Sequence, residues 1–267
     1  MTSTVDAPDL LAAIVAATRR AVEFRASRVP LAAMERRATL VEPTLHGFKT
    51  AIERHDRINV IAECKHRSPS KGVLTGAYHP AEIARSYDRG GAAAISVLTE
   101  PAFFDGNLDH LTAVRMVTSL PILRKDFILD RYQILEARAA GASAILLIVS
   151  AVRPTDLEDL HLIATDAGLD VLVEVHDLLE IQIALEAGAS IIGVNNRNLR
   201  TLEVDTEVSL RAIESVPDDA TAVAESGLKT SDDLRRLRRA GYDAFLVGES
   251  LMAAGDPGAA LSDLLES

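Results

Sequence analysis

This 267-residue chain is short of cysteine and tryptophan, and its basic residues fall short of its acidic ones. A single cysteine, Cys64, leaves no intrachain disulfide framework and no Cys-cluster zinc site. It reads as a small buried side chain. Tryptophan is absent, and aromatic residues make up only 4%. The 28 Lys and Arg residues are outnumbered by 39 Asp and Glu, for a formal net charge of −11. Nucleic-acid binders and membrane-surface proteins are more often basic, so neither partner is expected, although a local cationic pocket is still allowed. Long apolar runs are also missing. The N-terminal run 10–17 is too short to span a bilayer. Asp6 and Asp9 precede it where a signal peptide would carry basic residues, and they suit a first helical turn instead. The expectation is a cytoplasmic chain.

What is present is a 48% hydrophobic composition, enough for a large core. The length fits two domains or one α/β barrel, and an internal repeat decides between them. Residues 90–98, 141–149, 188–194 and 241–247 share one pattern, a glycine-led turn after a helical stretch and then an apolar β-type run. Glycine stops helices because it tolerates the left-handed backbone at the C′ position. Four further apolar runs lie between these, at 60–63, 121–125, 170–175 and 221–225. Such near-continuous runs are typical of parallel strands covered on both faces. Helix-period segments separate them at 80–89, 108–117, 131–140, 154–167, 178–187, 206–215 and 231–240. Pro80 and Pro154 fall where first-turn prolines belong, and Asp177 and Ser231 read as N-caps. Eight strands alternating with helices predict a (β/α)8 barrel over 56–267, with residues 1–55 as an N-terminal helical extension that caps the barrel or covers part of its mouth. A doubly wound open sheet is the alternative, but residues 65–70 hold no glycine fingerprint after the first strand.

Barrel enzymes work at the C-terminal ends of the strands, and side chains two apart on a strand share a face. Glu63 and Lys65 therefore point the same way at the end of strand one, with Cys64 between them pointing outward. Strand two carries Ser96, strand three ends in Lys125, strand five in Glu174 and strand seven in Glu225. Strand six ends in Asn195, followed two residues later by Arg197. Buried ion pairs stabilise poorly compared with apolar packing, so a convergence of carboxylates, lysines and an arginine is better read as a functional site. After strands seven and eight come Ser226-Gly227 and Gly248-Glu249, turns whose backbone N–H groups suit a phosphate. There the Glu249 side chain is expected to turn outward.

With these residues in hand, the chain resembles the indole-3-glycerol phosphate synthase family. The matching motifs are the stretch 61–72, Leu98-Thr99-Glu100, residues 103–106, residues 123–128, residues 173–176, residues 193–199, residues 224–227 and residues 247–252. The resemblance implies closure of 1-(2-carboxyphenylamino)-1-deoxyribulose 5-phosphate to an indole, with loss of carbon dioxide and water. It implies a catalytic set of Glu63, Lys65, Lys125, Glu174, Asn195 and Glu225, with Lys125 as the general acid. Neighbouring cations and partial burial would lower the Lys125 pKa towards neutrality. How acid and base roles divide among Lys65, Lys125, Glu63 and Glu174 is left open. Asn195, Arg197 and Glu225 would hold the ribulose hydroxyls and the ring carboxylate, with Ser68 and Ser96 nearby. Phe104, Phe127, Leu98, Leu146 and Leu199 would form the slot for the anthranilate ring. Ser226, Gly227, Gly248 and Glu249 would take the phosphate. Acid–base groups suffice for this reaction, so no metal and no organic cofactor is expected.

His176 shares strand parity with Glu174 but is assigned to the loop beyond the strand. His66-Arg67 and the arginines of 235–239 are expected in solvent. The loop 67–77 has the composition of either a lid or an ordinary connection. The partner expected is a small phosphorylated, carboxylated substrate, and the assembly a monomer or weak homodimer. Two rivals stand beside this reading. A phosphoribosylanthranilate isomerase would need a cysteine–aspartate pair, which the outward parity of Cys64 opposes. A non-catalytic sugar-phosphate-binding barrel has no use for inward lysines beside carboxylates.

Overall fold

The computed structural model describes residues 9–42 and 47–266. Asp6, one of the two acidic residues expected in the first helical turn, lies outside them. Asp9 is the N-cap, its side chain accepting a hydrogen bond from the Ala12 N–H at 3.2 Å. Helix α1 (Leu10–Arg28) then buries Leu11, Ile14, Thr18 and Val22. Two more helices, α2 (Leu31–Thr39) and α3 (Gly47–Ile52), precede the first barrel strand.

Eight strands follow: β1 (Asn59–Cys64), β2 (Ala94–Leu98), β3 (Ile122–Lys125), β4 (Ala144–Ile148), β5 (Asp170–Val175), β6 (Ile191–Asn195), β7 (Thr221–Glu225) and β8 (Ala244–Val247). Each pairs in parallel with its sequence neighbours, and β8 closes on β1. The result is a closed (β/α)8 barrel, as the alternation predicts. Two apolar layers explain why the strands read as continuous runs. Val60, Ala62 and Cys64 pack outward against the helices, whereas Ile61, Leu123, Leu146 and Leu172 fill the interior. Side-chain parity alone makes this sorting.

The connecting helices are α4 (Pro80–Arg89), α5 (Pro101–Phe104), α6 (Leu108–Arg115), α7 (Arg131–Ala139), α8 (Pro154–Asp166), α9 (Leu178–Glu186), α10 (Glu207–Ala212), α11 (Ser231–Ala240) and α12 (Glu249–Met252), with α13 (Pro257–Glu266) at the C-terminus. Pro80 and Pro154 open their helices, and Asp177 caps α9. The cap of α11 is Thr230 rather than Ser231. Thr230 and Asp233 form a reciprocal capping box there, which leaves Ser231 as the first helical residue. Among the described residues, no helix is long and apolar enough to cross a membrane.

The N-terminal helices divide between the two ends of the barrel. Helix α3 sits at the N-terminal end, where Asp170, the first residue of β5, accepts hydrogen bonds from the Phe48 and Lys49 N–H groups, both at 3.0 Å. Helix α1 runs to the opposite end and is moored by Arg25, which donates to Glu136 of α7 at 2.6 Å. Glu136 also faces Arg124, a fully buried arginine that donates to Asp126 at 2.8 Å and to the Gln133 carbonyl at 2.7 Å. Arg124 is the outward neighbour of Lys125. The same network that holds α1 therefore fixes the strand end carrying that lysine.

Candidate active site

At the C-terminal end of the barrel, strand ends deliver charged side chains into one mouth. Lys125 Nζ lies 2.8 Å from Glu174 Oε2 and 2.5 Å from Glu225 Oε2, bridging β3, β5 and β7. Glu174 Oε1 accepts from Asn195 Nδ2 at 3.0 Å. Lys65 Nζ pairs with Glu63 Oε1 at 2.6 Å. Glu63, Glu174 and Glu225 are buried, their side chains only 3%, 2% and 1% exposed.

Glycine makes room for two of these carboxylates. A Cβ at Gly193, on β6, would overlap Glu225 Oε1, and one at Gly248 would overlap Glu63 Oε1. Gly248 is thus required by the carboxylate beneath it, because its φ of −136° is open to any residue. Gly227 differs, with φ at +80° just after Ser226 at +65°. A non-glycine residue in that region is strained, and the Asn196 side chain holds the turn by donating to the Ser226 carbonyl at 3.1 Å.

The electrostatics correct one expectation. Burial disfavours the charged form of Lys125, but Coulombic attraction to Glu174, Glu225 and Glu63 more than offsets it. Lys125 is therefore held above the ordinary lysine range, not lowered towards neutrality. The two carboxylates part company. Burial would raise Glu174, yet Lys125 and His176 hold it well below the usual carboxylate range. Burial and the neighbouring Glu174 charge outweigh Lys125 at Glu225, which is pushed up to about 7.

A cavity of about 930 Å³ opens above this cluster. Glu63, Lys65, Lys125, Glu174, Asn195, Glu225, Ser68, Arg197 and the turn residues Ser226, Gly227, Gly248 and Glu249 all line it. So do Leu98, Phe104, Phe127, Leu146 and Leu199, with the Phe104 and Phe127 rings 6.3 Å apart. Ser96 is the exception. It is fully buried beside Glu63 in the β1–β2 register, its Oγ has no hydrogen-bond partner, and it does not reach the cavity wall.

A second correction concerns Glu249. Its side chain does not turn away but lies on the cavity wall, 3.2 Å from Arg197 Nη2. Every predicted cation of the mouth is thereby paired, so the pocket is charge-balanced rather than plainly cationic. His66 also departs from expectation: it is half-buried and stacks on Tyr78 with ring centroids 5.1 Å apart. Arg67 is exposed as expected, with Asp105 at 3.8 Å. The loop beyond it folds back on itself, Arg67-Ser68 pairing antiparallel with Gly72-Val73.

Sequence reasoning misses several wall residues. Lys71 and Lys229 add cations, and Leu10 and Ile14 of α1 add apolar surface. Lys229 stands two residues past Gly227, a signal that points to the phosphate turn. No local signal ties α1 to the mouth. His176, expected in a loop away from the chemistry, has its ring against Glu174.

Comparison with known proteins agrees with this geometry. The model of the indole-3-glycerol phosphate synthase family matches residues 11–264. "Indole-3-glycerol phosphate synthase 2" of Streptomyces coelicolor is 49% identical over 247 residues, spanning 92% of this chain and 93% of that protein. Among solved structures, a thiamine phosphate pyrophosphorylase from Pyrococcus furiosus aligns with a TM-score of 0.59 at 21% identity, covering 78% of this chain and 93% of the other. An N-acetylmannosamine-6-phosphate 2-epimerase from Clostridium perfringens aligns at 0.56 and 17% identity, covering 72% and 86%. At such identities these two speak for the barrel fold alone. With the family matched almost end to end and the predicted polar residues gathered in one mouth, the chain belongs to the indole-3-glycerol phosphate synthase family.

Proposed function

We infer that the chain closes the indole ring of 1-(2-carboxyphenylamino)-1-deoxyribulose 5-phosphate, with Lys125 as proton donor. The observation that carries this reading is the Lys125 ammonium held between Glu174 and Glu225, at 2.8 and 2.5 Å, beside an aromatic-lined slot. The ring carbon bearing the carboxylate attacks the substrate ketone, and a carbon–carbon bond forms as the carbonyl electrons move onto oxygen. That alkoxide is a stronger base than the lysine's neutral amine, so proton transfer from Lys125 runs downhill even with the lysine above its ordinary range. Loss of carbon dioxide returns an electron pair to the ring. The new hydroxyl then leaves as water, and removal of a proton makes the indole aromatic.

The second half of the reaction needs an acid for the hydroxyl and a base for the final proton. Glu174, held ionised, suits the base. Lys65, paired to Glu63 at 2.6 Å, suits the acid, with the Glu63 carboxylate holding its ammonium in place. Glu225, pushed up to about 7, can donate a hydrogen bond to a ribulose hydroxyl. Asn195 orients Glu174, and Arg197 meets the ring carboxylate by exchanging its bond to Glu249. The Ser226-Gly227 and Gly248-Glu249 turns offer backbone N–H groups to the phosphate. Phe104, Phe127, Leu98, Leu146 and Leu199 enclose the aromatic ring, and Ser68 lies on the wall nearby.

The test is to give purified protein the carboxyphenylamino-deoxyribulose phosphate, with no added metal or cofactor, and to follow indole fluorescence. Signal growing in proportion to enzyme is expected. Silence at micromolar enzyme would overturn the reading.

A further inference from the structure

His176 begins the loop after β5 and turns back towards the strand it follows. Its Nε2 lies 3.4 Å from Glu174 Oε1, an ion-pair distance without hydrogen-bond alignment. On the ring's other side, Nδ1 lies 3.0 Å from Glu180 Oε2. The same carboxylate oxygen accepts from the His176 backbone N–H at 2.7 Å. Glu180 is itself fixed in the first turn of α9, where its N–H donates to the cap residue Asp177 at 2.9 Å. A continuous chain therefore runs from the α9 cap through Glu180 and the imidazole to Glu174. His176 does not line the cavity, so it has no direct role on substrate.

One ammonium, Lys125, serves two buried carboxylates and can balance only one negative charge. Closely spaced carboxylates that share a site ionise unequally, and whichever receives further positive charge keeps its own. Asn195 already donates to Glu174 Oε1, and Lys125 holds Oε2. Among the described residues, His176 supplies the only cation besides Lys125 at Glu174, against Oε1, while Glu225 Oε1 is buried without a hydrogen-bond partner. We propose that His176 is a positioning residue: as an imidazolium braced by Glu180, it fixes Glu174 as the ionised member of the pair and leaves Glu225 to hold the proton. The groups facing the imidazole are Glu174 from β5 and Glu180 from α9, both acidic. Lys125 and Glu225 lie beyond Glu174, from β3 and β7. Although burial disfavours its charged form, the two carboxylates push His176 up to about 10, so the ring is charged at neutral pH.

This inference rests on Glu174 being the base of the proposed reaction, and the experiment separates the two. The pH dependence of kcat is measured for the full chain, His176→Asn, Glu180→Gln and Glu174→Gln, with thermal melts as a check on folding. Losing the imidazolium makes Glu174 harder to ionise, so the acid limb should move upward by about one pH unit in His176→Asn, the low end for an adjacent opposite charge. KM should stay within about twofold, because no substrate contact is lost. Glu180→Gln should move the limb in the same direction by less, and it decides the matter if His176→Asn does not fold. An acid limb unmoved in both variants overturns the proposal, even where kcat falls, since a purely structural latch would lower kcat without moving the limb. Full activity in Glu174→Gln would instead reject the role of Glu174 itself.

Discussion

Lys125 touches two carboxylates that behave differently, and the difference should be measurable as stability. Glu225 is pushed up to about 7 from an ordinary 4.5. A carboxyl raised in the folded state binds its proton more tightly there than in the unfolded chain. Stability therefore falls as pH rises from about 4.5 through about 7. Glutamine is neutral at every pH, so Glu225→Gln should melt higher than the parent at pH 8, with the gap closing by pH 5. Thermal melts at the two pH values check this, and an equal gap at both would contradict the raised value. Glu63, Lys65, Lys125, Glu174 and Glu225 are legible from the sequence because a charge ending an apolar strand run is costly to bury unless a site uses it. Which charges meet is not legible. Lys125 finds its partners 49 and 100 residues away, across the barrel. Parity says that a side chain points inward but not what faces it. For that reason the sequence points the wrong way on the lysine's shift, and it carries no sign of the Glu249–Arg197 pair.

Among the elements, β6 and α11 show contrasting uses of small or polar residues. Gly193 leaves the space that Glu225 occupies, so Gly193→Ala should lower kcat by at least about tenfold through displacement of that carboxylate. Steady-state kinetics on a variant that still melts cooperatively provides the check. Thr230, in the capping box of α11, is far from the chemistry in role. Thr230→Ala should cost about 1 kcal/mol in denaturant unfolding and leave kcat unchanged. Strand and helix positions are readable because glycine turns and apolar runs alternate so regularly. The ends are harder. Thr230 and Ser231 are both competent caps by type, and only the reciprocal bond to Asp233 selects the first. His176 falls on the same uncertainty: a loop position by sequence, it is brought back to the strand end because α9 braces it.

For the molecule as a whole, the N-terminal extension and the barrel form one site. Leu10 and Ile14 of α1 line the cavity, held there through Arg25, Glu136 and Arg124. Ile14→Ala should accordingly raise KM by about threefold or more while kcat changes less, the pattern for lost uniform binding. The sequence allows the extension either to cap the barrel or to cover its mouth. It does both, with α3 at one end and α1 at the other, a division that depends on long-range partners such as Asp170. The net charge of −11 belongs to the whole chain and does not describe the mouth, where Lys65, Lys125 and Arg197 each stand against a carboxylate. In the proposed reaction, that arrangement makes Lys125 a held proton donor more than an electrostatic lure. The most direct test of that role is turnover of Lys125→Met, alongside equilibrium binding of the substrate to the same variant. A loss in kcat of at least about a hundredfold is expected, with binding largely retained. Turnover near that of the parent would contradict the role.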